Sequence, residues 1–132
     1  MTQSITKGVK ALLEEANGVV DTMSVDEAKR LHDDDSTVFV DLRDFRELKR
    51  EGKIPGAFSC PRGMLEFWID PQSPYHKEVF NQDKRYVFYC ASAWRSALSA
   101  KVAMEMGLKP VTHMQGGFTA WKKADCPIEN VD

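Results

Sequence analysis

Arg85-Tyr86-Val87-Phe88-Tyr89-Cys90-Ala91-Ser92-Ala93-Trp94-Arg95-Ser96 is the stretch on which the fold turns. Its first six residues are dense in aromatic and β-branched side chains, which favour the pleated strand. The apolarity is continuous rather than alternating. Continuous apolarity marks a strand buried on both faces, the usual state in a parallel sheet. A short loop, Ala91–Trp94, follows without a proline. Residues 95–106 then read as a helix, with Leu98, Val102 and Met106 at four-residue spacing. Gly107 suits the position past the helix end, and Pro110 stops any continuation. The stretch is therefore a strand–loop–helix unit with a cysteine at its first turn.

The rest of the chain repeats this alternation. Upstream, Thr37–Leu42 is a second continuous apolar strand, and Asp44–Arg50 reads as a short charged helix. Gly52-Lys53-Ile54-Pro55-Gly56 is a turn, and Ala57–Cys60 a short strand. Arg62–Ile69 is amphipathic, Asp70–Pro74 breaks it, and His76–Phe80 adds one helical turn. Nearer the N-terminus, Val19–Thr22 is a strand candidate. Ser24 and Glu27 form an S-x-x-E capping box that opens a helix running through His32, and Asp33-Asp34-Asp35 is a solvated loop. Ile5–Asn17 reads as a helix with Val9, Leu12, Leu13 and Ala16 on one face, ended by Asn17-Gly18. Downstream, Val111–Met114 is a strand, Gly116-Gly117 a turn and Phe118–Lys123 a last helix. Strands alternating with helices predict an α/β fold: a central, mostly parallel five-stranded sheet with helices on both faces. Residues 1–18 are expected as an N-terminal helical extension and 19–132 as the domain.

Composition excludes several classes. The 132 residues are 42% hydrophobic and 29% charged, too apolar for a disordered chain. A net charge of −2 gives no broad attraction to nucleic acid or anionic membrane. The longest near-apolar run, Tyr86–Trp94, is far short of the ~20 residues a membrane helix needs. No basic segment followed by an apolar stretch opens the chain, so no secretory signal is read and a cytoplasmic location is expected. Cys60, Cys90 and Cys126 are odd in number and widely spaced, which fits neither a disulfide framework nor a zinc motif. His32, His76 and His113 lack ligand spacing, so no metal is assigned.

Cys90 ends the most buried strand. In open α/β sheets ligands bind outside the carboxyl ends of the strands. If the loop curls around Cys90, the backbone amides of Ala91, Ser92, Ala93, Trp94 and Arg95 converge beside a helix N-terminus. Arg95 adds a full positive charge. Such a cradle favours thiolate over thiol and offers hydrogen bonds to an oxyanion beside the sulfur. The plainer alternative is that Cys90 is a small buried hydrophobe and Arg95 a surface residue. Asp41 and Arg43 end a strand at the same sheet edge. They either orient the Cys90 loop or simply pair with each other. Cys60 also follows a strand and is a candidate resolving thiol, with a buried structural role as the default. Cys126 has no assigned role. Arg62, Met64, Phe67 and Trp68 either complete the core or wall an acceptor site. Trp94 is expected to pack against its helix, with an aromatic wall over the site as the other reading.

Cys90-Ala91-Ser92-Ala93-Trp94-Arg95-Ser96 resembles the active-site loop of the single-domain rhodanese (thiosulfate sulfurtransferase) family, whose common bacterial pattern is Cys-x-x-Gly-x-Arg-Ser. Val40-Asp41-Leu42-Arg43 resembles the family's Asp-Val-Arg strand end. Gly52-Lys53-Ile54-Pro55-Gly56-Ala57 resembles its His-Ile-Pro-Gly-Ala turn. Met114-Gln115-Gly116-Gly117-Phe118-Thr119-Ala120-Trp121 resembles its Gly-Gly-x-x-x-Trp close. The four occur in the family's order over about 110 residues.

The resemblance implies a sulfurtransferase without metal or organic cofactor. Cys90 is the implied nucleophile and persulfide carrier, Arg95 the partner of the donor's oxyanion. The amides of residues 91–95 hold the persulfide, with Ser96 beside Asp41 and Arg43 as candidate support. The implied partners are a small sulfane-sulfur donor such as thiosulfate and a thiophilic acceptor: cyanide, a thiol or a protein. One residue departs from the pattern, because Ala93 stands where the family has glycine. If that position needs a positive φ, alanine costs on the order of 1 kcal/mol. Two other functions remain open: a non-catalytic interaction or sulfur-carrier module, and a cysteine-dependent phosphatase or arsenate reductase. Phosphatases of this kind place five residues between cysteine and arginine, whereas four lie between Cys90 and Arg95.

Overall fold

The computed structural model describes residues 2–132. The 85–90 stretch forms β4 (Arg85–Tyr89) at the centre of a five-stranded sheet, and Cys90 is the first residue beyond it. The other strands are β1 (Asp21–Met23), β2 (Thr37–Asp41), β3 (Phe58–Ser59) and β5 (Val111–Met114). Their spatial order is β1-β5-β4-β2-β3, and every pairing is parallel. Continuous apolarity is thus accounted for: Tyr86, Val87, Phe88 and Tyr89 are all fully buried, in alternation on the two faces of the sheet.

One face carries Tyr86, Phe88 and Cys90 with Val40 and Leu42. It is covered by α4 (Leu65–Ile69) and α5 (Trp94–Met106), against which α1 (Val9–Val19) packs. The other face carries Val87, Tyr89, Phe39 and Met114, packed with Ala28 of α2 (Val25–Leu31) and with Phe118 and Trp121 of α6 (Gly117–Lys123). The remaining α-helix, α3 (Phe45–Glu51), lies between β2 and β3 in the chain. The fold is the expected α/β arrangement, with helices on both faces.

Several boundaries moved. α1 runs through Asn17-Gly18 instead of ending there, and Val20 terminates it by donating its backbone N–H to the Ala16 carbonyl. Gly18 does not take the positive φ that an Asn-Gly turn exploits. Packing of α1 along α5 outweighs that local turn preference. β1 accordingly starts at Asp21, where β5 supplies a ladder partner. At α2 only half of the expected capping box forms: Ser24 Oγ accepts from the Glu27 N–H at 3.1 Å. A complete box forms at α3, where Asp44 and Glu47 cap each other's backbone. No helix of the described residues is long and apolar enough to cross a membrane.

Candidate active site

Parallel topology brings the ends of β2, β4 and β5 to one edge, with Cys90 there at 1% exposure. Gly116 and Gly117 follow β5 in left-handed backbone, with φ of 72° and 61°. A Cβ on Gly117 would lie 2.5 Å from the Cys90 carbonyl oxygen and 2.6 Å from that of Ala91. Only glycine lets α6 start so close to the loop. From there the Phe118 N–H donates to the Cys90 carbonyl at 2.8 Å, and the Thr119 N–H to the Ala91 carbonyl at 3.1 Å. A trans peptide points its N–H opposite to its C=O. The amides of Ala91 and Ser92 therefore aim away from α6.

Among the described residues, no backbone amide from Ala91 to Arg95 has a hydrogen-bond acceptor outside the first turn of α5. Ala93 lies in the left-handed region at φ 77° and is the N-cap of α5. The positive φ that the family's glycine suggested is present here, and alanine bears it. The Ser96 N–H donates to Cys90 Sγ at 3.4 Å, and the Ser96 hydroxyl lies 3.7 Å from the sulfur. Ser96, in the first turn of α5, thus sets two donor groups against the sulfur at a helix start, an arrangement that stabilises negative charge.

Arg95 is held rather than free. Its guanidinium makes a two-pronged pair with Glu47 of α3, at 2.8 and 2.9 Å. The Arg95 hydrogen bonds hold the Glu47 carboxyl down to about 2. Glu47 is fixed in turn by the capping box, since its Oε2 accepts the Asp44 N–H at 3.0 Å. Glu47 was absent from the residues singled out in the sequence. The D-x-x-E spacing at Asp44 could have marked the helix start, but nothing local marked its partner 48 positions away.

For Asp41 and Arg43 the structure shows mutual pairing. Arg43 Nε and Nη2 donate to the Asp41 carboxylate at 3.0 and 2.7 Å, and Nη2 also donates to the Gly52 carbonyl at 2.8 Å. Neither side chain hydrogen-bonds residues 91–95 among the described residues. They brace the sheet edge around the loop. Trp94 departs from the packing expectation: it opens α5 and is 59% exposed. Cys60 is fully buried, and burial pushes its thiol up to about 12, so it stays protonated at neutral pH. Cys126 is buried too, in the α6 face of the core.

His113 is the second residue that the sequence did not single out for the site. It is buried, and its Nδ1 lies 2.9 Å from Ser96 Oγ. Burial holds its imidazole below the ordinary histidine value. Alternation along β5 was the available signal, because it puts His113 on the Val111 face, toward α5. Beside the loop a cavity of about 600 Å³ opens between α3 and α6, lined by Ala91, Glu47, Arg50, Phe118, Lys122 and Lys123 among others. Among the described residues no three His, Cys, Asp or Glu are grouped to hold a metal ion.

Residues 24–124 match the family described as Rhodanese-like domain. The chain belongs to the rhodanese-like domain family. It is 32% identical over 94 residues to "Putative sulfurtransferase YtwF" of Bacillus subtilis, covering 71% of this chain and 82% of that protein. A solved structure from Rhodopseudomonas palustris is 59% identical with a TM-score of 0.95, covering 98% of this chain and 99% of that one. It is described as a protein of unknown function and possible tyrosine phosphatase. The single-domain sulfurtransferase of Saccharomyces cerevisiae shares the fold, with a TM-score of 0.64 at 24% identity over 80% of this chain and 91% of that one. The rhodanese-like motifs fall where the geometry needs them. Asp41 to Arg43 closes β2, Ile54 donates its N–H to the Tyr89 hydroxyl at 3.1 Å, and Gly116-Gly117 seats α6 on the loop.

Proposed function

We propose that this rhodanese-like protein is a sulfurtransferase that carries sulfur as a persulfide on Cys90. The Cys90 thiolate attacks the outer sulfur of thiosulfate. A new S–S bond forms as the donor's S–S bond breaks, and sulfite leaves with the bonding pair. A thiolate or cyanide then attacks the terminal persulfide sulfur, and the bonding pair returns to Cys90. The supporting observation is the Ser96 N–H at 3.4 Å from Sγ, at the end of a loop whose Ala91–Arg95 amides have no acceptor elsewhere in the fold among the described residues. The Ala91–Arg95 amides cradle the terminal sulfur. Arg95, steered by Glu47, meets the donor's oxyanion from the loop's far end. A thiol that must return to the reduced state after each turnover suits the cytoplasm.

Mass spectrometry of the protein treated with thiosulfate tests this. The expected result is the mass of one added sulfur on Cys90, absent in Cys90→Ser and removed by cyanide or a small thiol. The Rhodopseudomonas palustris relative gives the phosphatase reading its support. Turnover of an aryl phosphate that depends on Cys90, with no sulfur adduct from any sulfane donor, would establish that reading instead. No adduct and no turnover, with partner binding that survives Cys90→Ser, would leave an interaction module.

A further inference from the structure

A line of polar groups leads away from the Cys90 sulfur into the protein. Sγ lies 3.7 Å from Ser96 Oγ, Ser96 Oγ 2.9 Å from His113 Nδ1, and His113 Nε2 3.3 Å from Thr22 Oγ1. Cys90, Ser96 and His113 are buried at 1%, 0% and 3% exposure, while Thr22 lies exposed on the edge strand β1. Register pairs Thr22 directly with His113. The sulfur-transfer chemistry uses Cys90 but gives His113 no part.

Each link can donate or accept, and two complete arrangements exist. In the first, the Cys90 thiol donates to Ser96 Oγ, the Ser96 hydroxyl donates to Nδ1, and Nε2–H donates to Thr22. In the second, the Thr22 hydroxyl donates to Nε2, Nδ1–H donates to Ser96 Oγ, and the Ser96 hydroxyl donates to a thiolate. A thiolate beside a Ser96 hydroxyl that is turned to Nδ1 sets two acceptors face to face in a buried site, which is costly, and a thiol beside Nδ1–H leaves the Ser96 hydroxyl only the weakly accepting thiol sulfur.

The surroundings keep His113 neutral. β4 presents the apolar Phe88 to it, and β1 presents Thr22. On α5 the facing group is Ser96, and the adjacent Arg95 is tied to Glu47. Asp21 of β1 and Glu14 and Glu15 of α1 are exposed. Burial alone lowers the imidazole's affinity for a second proton.

We propose that Ser96 and His113 form a reversible relay that supports the Cys90 sulfur in both protonation states, with His113 exchanging one tautomer for the other as the sulfur gains or loses its proton. The balance closes. The thiol proton passes to Ser96, the Ser96 proton to Nδ1, the Nε2 proton to Thr22, and a Thr22 proton to water. Each oxygen ends with the number of protons it began with, the imidazole still carries one proton, now on Nδ1 instead of Nε2, and only the sulfur has lost one. Ser96 and His113 are then positioning residues. The relay rests on the reading of Cys90 as the reactive thiol.

The test is nitrogen NMR of the His113 ring in the intact, ¹⁵N-histidine-labelled protein across pH, beside the rate of Cys90 alkylation by iodoacetamide. The Nε2–H tautomer is expected where alkylation is slow, and the Nδ1–H tautomer where its rate reaches a plateau. Cys90→Ser should hold the ring in one tautomer throughout. Ser96→Ala should uncouple tautomer from alkylation and slow alkylation at neutral pH by about tenfold, the low end for one hydrogen bond to a charged group. A tautomer that stays fixed while alkylation titrates overturns the relay. An imidazolium signal that tracks the thiolate also overturns it, in favour of an ion pair. If thiosulfate leaves no persulfide while the tautomer still follows alkylation, sulfur transfer fails and the relay stands.

Discussion

Ala93 shows how far one residue can be read from sequence and where reading stops. Its departure from the family's glycine was visible, but whether the position demanded a positive φ was not. At φ 77° it does, and a side chain in left-handed backbone costs roughly 1–2 kcal/mol. Ala93→Gly removes that strain but loosens the unfolded chain, leaving a net gain of about 1 kcal/mol. Thermal unfolding should show a midpoint higher by about 4 °C; a lower midpoint would mean that the Cβ makes contacts worth more than the strain. Arg95 was legible for a similar reason, being close in sequence to Cys90, whereas Glu47 was not. The Glu47–Arg95 pair carries a pH signature. Glu47 titrates at about 2 in the folded protein against an ordinary value near 4.5. A depressed folded value means a contribution fully present above 4.5 and lost as pH falls toward 2. Urea unfolding from neutral pH downward should therefore find Glu47→Gln less stable than the native protein above that window. The two should converge within it. Parallel curves would separate the pair from the acid response.

At the scale of elements, continuous runs such as Arg85–Tyr89 were legible because burial on both faces leaves no alternative composition. Ends set by partners were not. α1 passes its Asn-Gly signal because α5 lies alongside, and β1 begins where β5 offers a ladder. The Gly116-Gly117 turn was visible as a turn, but its purpose belongs to the tertiary structure. It lets α6 approach the carbonyls of Cys90 and Ala91. Gly117→Ala puts a Cβ 2.5 Å from a backbone oxygen that cannot swing aside. α6 must retreat, straining or breaking the bonds from Phe118 and Thr119. Left-handed strain and two hydrogen bonds together imply a loss of about 3 kcal/mol. Persulfide loading should fall by more than about tenfold, since misplaced amides lose charge stabilisation beside the sulfur. Gly63→Ala, where a new Cβ meets nothing within 4 Å, is the control and should leave loading unchanged. Equal loading in Gly117→Ala and the control would show that α6 does not set the loop.

Across the whole molecule, the apolar faces of the sheet enclose a charged pair at Asp41 and Arg43, at 0% and 1% exposure. From the end of β2, Arg43 reaches the Gly52 carbonyl beyond α3. Its guanidinium lies 4.3 Å from the Phe118 ring centroid on α6 and 5.7 Å from that of Tyr89 on β4. One cation thus joins the elements that surround the Cys90 loop. A buried pair gains little over apolar residues of the same volume, because desolvation offsets the attraction. Removing one partner is different, since the other charge stays buried alone. Arg43→Met should therefore cost about 3–5 kcal/mol, and adding Asp41→Asn should recover part of that loss. Urea unfolding at neutral pH measures both, provided the denaturant slope stays constant. A cost below about 1 kcal/mol for Arg43→Met would mean that water reaches the Asp41 carboxylate. A double variant no more stable than the single would mean that the Gly52 carbonyl and the aromatic faces, rather than Asp41, are what Arg43 chiefly holds in place.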